Sequence, residues 1–214
     1  MKIVVVDYHG GNGKSVCNAY AKIGFQAQLS QDVAQISQAD LIVLPGVGAA
    51  YATLKSLSDL GLIQTIKESI FSKKNSFLGI CVGYQILFEH SEEDDTPCLG
   101  AVKGNVVRYN SQHVKVPHMG WNEVRFSKYC PKEILREMNG KQYYYFVNSY
   151  YGNPVDKKIV AGESFYENWF SCFIIKDHIA TTQFHLEKSG QQGLTLLKNL
   201  STYLVKKKLQ NVNS

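Results

Sequence analysis

Ser76-Phe-Leu-Gly-Ile-Cys81-Val-Gly-Tyr-Gln-Ile-Leu-Phe-Glu-His90 decides how the rest of the chain is read. Its first half is short and apolar and ends in Gly79-Ile80, as a buried strand does. Its second half spaces Tyr84, Leu87 and Phe88 as one face of a helix. Cys81 therefore falls at a strand-to-helix corner, with Gly79 and Gly83 two residues to either side. Gly-x-nucleophile-x-Gly is an elbow: the glycines let the backbone turn sharply while the side chain between them is presented outward. At a helix start a thiol meets the positive end of the helix dipole, which favours thiolate over thiol. An isolated cysteine is more often a packed core residue. Two flanking glycines and the switch from strand to helix turn the reading toward a nucleophile, provided that a base exists elsewhere.

Outward from the elbow, the preceding residues alternate between strands and helices. Lys2-Ile-Val-Val-Val-Asp7 is a β-branched run suited to a strand buried on both faces. Val16, Ala19, Tyr20 and Ile23 mark a helix stopping at Gly24. Phe25 to Ser30 and Leu41 to Leu44 read as further strands, the latter broken by Pro45-Gly46, and Leu60 to Ser72 repeats the helical period. The fold class is thus α/β, an open, mostly parallel sheet flanked by helices over roughly the first 95 residues. Sites in such sheets gather at the carboxyl ends of the strands, where Tyr8, Pro45-Gly46 and Cys81 would lie. After Ser91 the texture changes to added antiparallel strands and hairpins between Val106 and Ile179, with one helix expected from Pro131 to Met138. Gln183 to Glu187 is expected to end a strand, and Gly193 to Lys208 closes the chain as a helix with Leu194, Leu197, Leu200 and Leu204 on one face. No linker separates the halves, so residues 1–214 read as one domain.

Composition narrows the function classes. Apolar residues make up 44% and charged ones 19%, and the net charge is +5, much of it in Lys206-Lys207-Lys208. Arginine occurs only at 108, 125 and 136, with no basic stripe interleaved with aromatics, which argues against nucleic acid as a partner. Five cysteines without a Cys-x-x-Cys pair argue against a zinc site or a disulfide framework and for a reducing compartment. Neither a signal-peptide pattern nor a long apolar span is read, so the expected location is cytoplasmic and away from membranes. Two loops imitate nucleotide sites. Gly10-Gly-Asn-Gly-Lys-Ser15 lacks the first P-loop glycine, its place being taken by Tyr8, and Gly46-Val-Gly48 lacks the third dinucleotide glycine, replaced by Tyr51.

A cysteine nucleophile needs a base, and the base an orienter. Of six histidines, His185 stands out because Glu187 lies two residues on, and in an extended segment both side chains project to one side. With these residues in hand, the chain resembles the class I (triad) glutamine amidotransferases. Gly79-Ile-Cys-Val-Gly-Tyr-Gln85 is similar to their nucleophile motif and Gln183-Phe-His-Leu-Glu-Lys-Ser189 to their His-x-Glu motif, with Leu186 where proline is usual. Asp7-Tyr8 with Gly11-Asn12, Pro45-Gly-Val-Gly48, Phe88-Glu-His-Ser-Glu-Glu93, Gly104-Asn-Val-Val107, Pro117-His-Met-Gly-Trp-Asn122 and Tyr145-Phe-Val-Asn-Ser-Tyr150 narrow the resemblance to the glutaminase subunits of imidazole glycerol phosphate synthases. Departures from that pattern are His9, Gly13, Ala50 and Asn148, where glycine, leucine, phenylalanine and histidine are typical.

The resemblance implies Cys81 as nucleophile, His185 as base and Glu187 as orienter, acting on L-glutamine without a metal or organic cofactor. It implies an oxyanion hole from the Val82 and Val47 amides, substrate contacts from Gly46, Gly48, Gln85, Glu93, Ser149 and Tyr150, and Glu93 facing the α-ammonium. Ammonia would pass to a separate (β/α)8-type cyclase, the heterodimer partner, docked on Tyr8, Asn12, Gly48, Met119 and Trp121. Rotation of the Gly46–Val47 peptide is the expected switch between idle and active states, since the glycines at 46 and 48 make it sterically cheap. Competing readings are a paralogue feeding ammonia to a related synthase that amidinates a nucleotide sugar, a binding subunit that has lost hydrolysis, and a free-standing cysteine hydrolase.

Overall fold

A computed structural model of the protein describes residues 1–212. The first half is built from β1 (Ile3–Val6), α1 (Gly13–Lys22), β2 (Ala27–Ser30), α2 (Val33–Ser37), β3 (Leu41–Leu44), α3 (Ala50–Asp59), α4 (Ile63–Phe71), β4 (Ser76–Ile80) and α5 (Val82–Gln85). β2, β1, β3 and β4 lie side by side in that order, all parallel. Their unbroken apolar runs follow from burial on both faces. Ile3, Val5, Leu41, Val43, Leu78 and Ile80 pack into one layer with α1, while Val4, Val6, Ile42, Leu44 and Phe77 pack into the other against α2 to α5. Each such fully buried aliphatic side chain contributes about 1.5–3 kcal/mol relative to exposure.

The second half adds β5 (His90–Ser91), β6 (Thr96–Pro97), β7 (Gly104–Arg108), β8 (His118–Phe126), β9 (Gln142–Asn148), β10 (Tyr150–Pro154), β11 (Val160–Phe165), β12 (Trp169–Lys176), β13 (Ile179–Thr182) and α6 (Gly190–Val212). β12, β10 and β7 extend the sheet by antiparallel pairing, and β11, β8 and β9 branch from β12. The decisive connection is β13. It turns back beside β12 and lies parallel to β4, with Thr182 opposite Ile80. The strand that leads into Cys81 and the strand that leads into Gln183 thus finish together on the same rim. Leu196, Leu197, Leu200 and Leu204 of α6 cover the layer beneath.

Several local expectations are corrected. The helix expected at Pro131–Met138 is a single 3-10 turn, Lys132–Leu135, followed by Glu137 with φ +62°. α2 and α3 were not anticipated; α3 carries its period in small and polar residues, Ala50, Thr53 and Leu57 being its buried face. The elbow helix ends at Gln85 after four residues, although Tyr84, Leu87 and Phe88 are all fully buried as their spacing requires. Among the described residues no helix is long and apolar enough to cross a membrane.

Candidate active site

Cys81 sits between β4 and α5 with φ +56° and ψ −105°, a conformation that costs an L-residue about 1–3 kcal/mol and persists only where its surroundings hold it. The backbone amide of Cys81 donates to the Thr182 carbonyl at 2.8 Å, which clamps the corner to β13. Both elbow glycines are required by close approach rather than by dihedral freedom. A Cβ on Gly79 would collide with the Gly83 carbonyl and lie 2.8 Å from Thr181 Oγ1, and one on Gly83 would collide with the Leu44 carbonyl. With only one turn in α5, the dipole argument for the thiolate is weaker than the sequence suggested, because a full macrodipole needs several aligned peptides. The charge partner is instead His185.

His185 and Glu187 are each 1% exposed in their side chains, and His185 Nδ1 pairs with Glu187 Oε1 at 2.8 Å. The pair does not form along a strand, as expected, but across the entry to a 3-10 turn, Leu186–Lys188. His185 is held from below: its amide donates to the Tyr145 carbonyl at 3.0 Å, and its carbonyl accepts from the Ser189 hydroxyl. Glu187 Oε1 accepts a second bond, from Asn12 Nδ2 at 3.3 Å. Nε2 of His185 has no hydrogen-bond partner and remains available on the Cys81 side. Burial alone would depress the imidazolium, but Cys81 and Glu187 together more than offset it and hold the His185 pKa at about 10. A proton is therefore held on His185 between the Cys81 sulfur and the Glu187 carboxyl group, ready for donation.

Val47, Gly48, Cys81, Gln85, Glu93, Ser149, Tyr150 and His185 line one cleft of about 440 Å³, joined by Asn148 and Lys188, which the sequence reading did not include as site residues. Val82 and Gly46 are buried and are not among the cleft's lining residues. Among the described residues no carbonyl accepts the Val82 N–H, which leaves it available as an oxyanion donor. Gly46 is buried, and a Cβ there would collide with Val82 Cγ1. Gly46→Ala would therefore disrupt the elbow packing as well as restrict peptide rotation. Glu93 is engaged: Oε2 accepts from the Ala50 amide at 3.0 Å and so braces the loop that follows Gly48. Burial raises its pKa, the Ala50 bond acting in the opposite sense. Gln85 Nε2 donates to the Tyr150 carbonyl at 3.0 Å and to Gln183 Oε1 at 3.2 Å. Asn148 Nδ2 donates to the Tyr150 carbonyl at 2.9 Å, and its buried Oδ1 has no partner.

The docking expectations divide. Tyr8 is corrected: it is 1% exposed, packed beneath Gly11 and Gly46, and contributes to the core rather than to a surface. Burial, with Cys81 nearby, pushes its pKa up to about 12, while Thr53 acts in the opposite sense. Asn12 is half-buried with its amide turned inward to Glu187. Met119 and Trp121 are 62% and 56% exposed on one side of β8, with Trp121 edge-on to Tyr145. The loop dismissed as a P-loop thus supplies a residue to the catalytic cluster instead.

Comparison with known proteins places the chain in a family. The family model for glutamine amidotransferase class-I matches residues 4–202. The chain is 40% identical over 198 residues to the imidazole glycerol phosphate synthase subunit HisH of Dehalococcoides mccartyi, covering 92% of this chain and 95% of that one. It is 41% identical over 206 residues to the same subunit of Sulfurimonas denitrificans, covering 94% and 98%. Among solved structures, a glutamine amidotransferase superposes with a TM-score of 0.71 at 14% identity, covering 96% of this chain and 98% of that one, a likeness of fold.

Proposed function

The chain belongs to the class I glutamine amidotransferase family as a glutaminase subunit of imidazole glycerol phosphate synthase, an enzyme of histidine biosynthesis, and from that premise we propose that Cys81, His185 and Glu187 carry its chemistry. It acts as one subunit of a two-subunit synthase. The observation that carries the residue assignment is the buried 2.8 Å His185–Glu187 pair, whose His185 lines one cleft with Cys81.

The Cys81 sulfur attacks the side-chain carboxamide carbon of L-glutamine, forming a C–S bond and an oxyanion. The Val82 amide and that of Val47 receive the developing charge. Collapse of the intermediate breaks the C–N bond as His185 Nε2 gives its proton to the departing nitrogen, which leaves as ammonia. Neutral His185 then takes a proton from water. The hydroxide attacks the thioester, the C–S bond breaks, and glutamate leaves with the thiolate restored. Glu187 holds the ring through Nδ1 during both transfers. Gln85, Glu93 and the Ser149–Tyr150 backbone hold the glutamine.

The partner is a (β/α)8-type cyclase forming a heterodimer through a face that includes Met119 and Trp121; exposed Met and Trp side chains support this. Docking with acceptor bound turns the Gly46–Val47 peptide so that its N–H faces the oxyanion. Five free thiols favour a cytoplasmic location. Cys81→Ala should abolish glutamine-dependent turnover by the complex while leaving its use of added ammonium salts. Substantial glutamine hydrolysis by this variant would overturn the assignment.

A further inference from the structure

We propose that Gln183 is a positioning residue of this site: its amide donates to the Cys81 sulfur and, through Gln85, ties the nucleophile to the substrate-binding wall. The proposal rests on the glutaminase reading above. Gln183 is fully buried one residue beyond β13, and its backbone amide donates to the Cys172 carbonyl at 2.8 Å. From there Nε2 donates to Cys81 Sγ at 3.8 Å, and Oε1 accepts from Gln85 Nε2 at 3.2 Å.

The polarity of this chain is set at its far end. Gln85 Nε2 also donates to the Tyr150 carbonyl at 3.0 Å, and a backbone carbonyl can only accept. The atom of Gln85 shared between Tyr150 and Gln183 is therefore the nitrogen, the atom of Gln183 facing it is the oxygen, and the nitrogen of Gln183 is left for the sulfur. A sulfur that receives an N–H is best satisfied as a thiolate, because a hydrogen bond to an ionised acceptor is about twice as strong as one between neutral groups. Both hydrogens of Gln85 Nε2 are used in the same chain, so Gln85 offers the cleft only its oxygen. That wall accepts a hydrogen bond and suits a substrate that brings N–H donors, as glutamine does.

His185 and Gln183 approach Cys81 from one short segment. The chain bends at Gln183 and Phe184 as it leaves β13, so that Gln183 and His185 both face Cys81 while Phe184 between them stacks on Tyr144 at 4.3 Å in the core. One charge partner and one neutral donor thus reach the sulfur from the end of a single strand.

The test reads Cys81 itself by alkylation with iodoacetamide, followed at the level of its peptide by mass spectrometry across pH, in the full chain. In Gln183→Met, which keeps the length and loses the donor, the pH midpoint of alkylation should move alkaline by about one unit, and alkylation at any pH below the wild-type midpoint should slow about tenfold. Gln183→Glu, which puts an acceptor against the sulfur, should move the midpoint further. Gln183→Asn, amide-bearing but too short to span Gln85 and Cys81, should behave like Gln183→Met and serves if a longer variant fails to fold. A wild-type alkylation profile in the folded variants, even with a lowered melting temperature, would show a merely structural amide and overturn the proposal. Failure of the glutaminase reading would show separately, as glutamine turnover persisting in Cys81→Ala.

Discussion

Glu187→Gln probes how the base is oriented, and the structure sets the size of its effect. Oε1 receives two donors, His185 Nδ1 at 2.8 Å and Asn12 Nδ2 at 3.3 Å, while Oε2 is buried without a partner. An amide at 187 can present only one oxygen, and both donors select it for the Oε1 position. The nitrogen then occupies the unpartnered site, and His185 keeps the tautomer that leaves Nε2 to work. What is lost is charge. A hydrogen bond to an ionised group is worth about 1.5–3 kcal/mol against about 0.5–1.5 for a neutral pair. The difference, about 1–2 kcal/mol, corresponds to a fall in kcat/KM of roughly 5- to 30-fold. The alkaline limb of the pH–rate profile, set by loss of the His185 proton near pH 10, should move toward neutrality, since burial then opposes the imidazolium with less compensation. Adding Asn12→Ala removes the donor that pins the amide. The amide can then flip, present its N–H₂ to Nδ1 and force the wrong tautomer, which costs a base several powers of ten. The double variant should therefore fall at least about 100-fold below Glu187→Gln, a strong non-additivity. The assay is glutamate release by the complex as a function of glutamine and pH, with His185→Asn as the reference for complete loss. A Glu187→Gln variant as inactive as His185→Asn, or a double variant no worse than the single, would refute this account.

Gly79→Ala should destabilise the fold by about 3 kcal/mol or more, since its Cβ meets the Gly83 carbonyl and Thr181 Oγ1 with no flexible neighbour to yield; chemical denaturation measures it, and a wild-type midpoint would disprove the packing argument. His118 is stacked between Phe146 and Tyr166 at 4.8 and 4.0 Å, and burial lowers its pKa to about 4. The unfolded chain then binds more protons than the folded one between about pH 4 and 6.5, so stability is complete above about 6.5 and falls by up to about 3 kcal/mol as pH drops toward 4. Denaturation midpoints measured from pH 4.5 to 7.5 should show that slope, and His118→Phe should flatten it.

By itself the sequence determined the parallel half of the sheet and the nucleophile. β1, β3 and β4 are short β-branched or apolar runs, flanked by polar residues or, after β3, by Pro45-Gly46, and their burial on both faces follows from composition alone. Gly79 and Gly83 marked Cys81 because backbone packed against backbone admits no Cβ, a constraint that is written in residue identity. The period-two argument reached the right partner, Glu187, by a backbone that is not a strand. The strand ends at Thr182, and His185 meets Glu187 because the chain bends at Gln183 and Phe184 and then enters a 3-10 turn. Tyr8 looked like a surface aromatic because nothing local distinguishes an exposed ring from one capped by a glycine loop. What only the tertiary structure decided is the insertion of β13 beside β4 across about a hundred residues of intervening chain. Strand pairing of that range is governed by which backbone edges are left unpaired and which faces remain to be covered, sums over the whole molecule that no window of sequence contains. The same insertion brings Gln183, His185 and Glu187 to a cysteine that belongs to another segment, and sets Glu187 against Asn12 of the loop after β1.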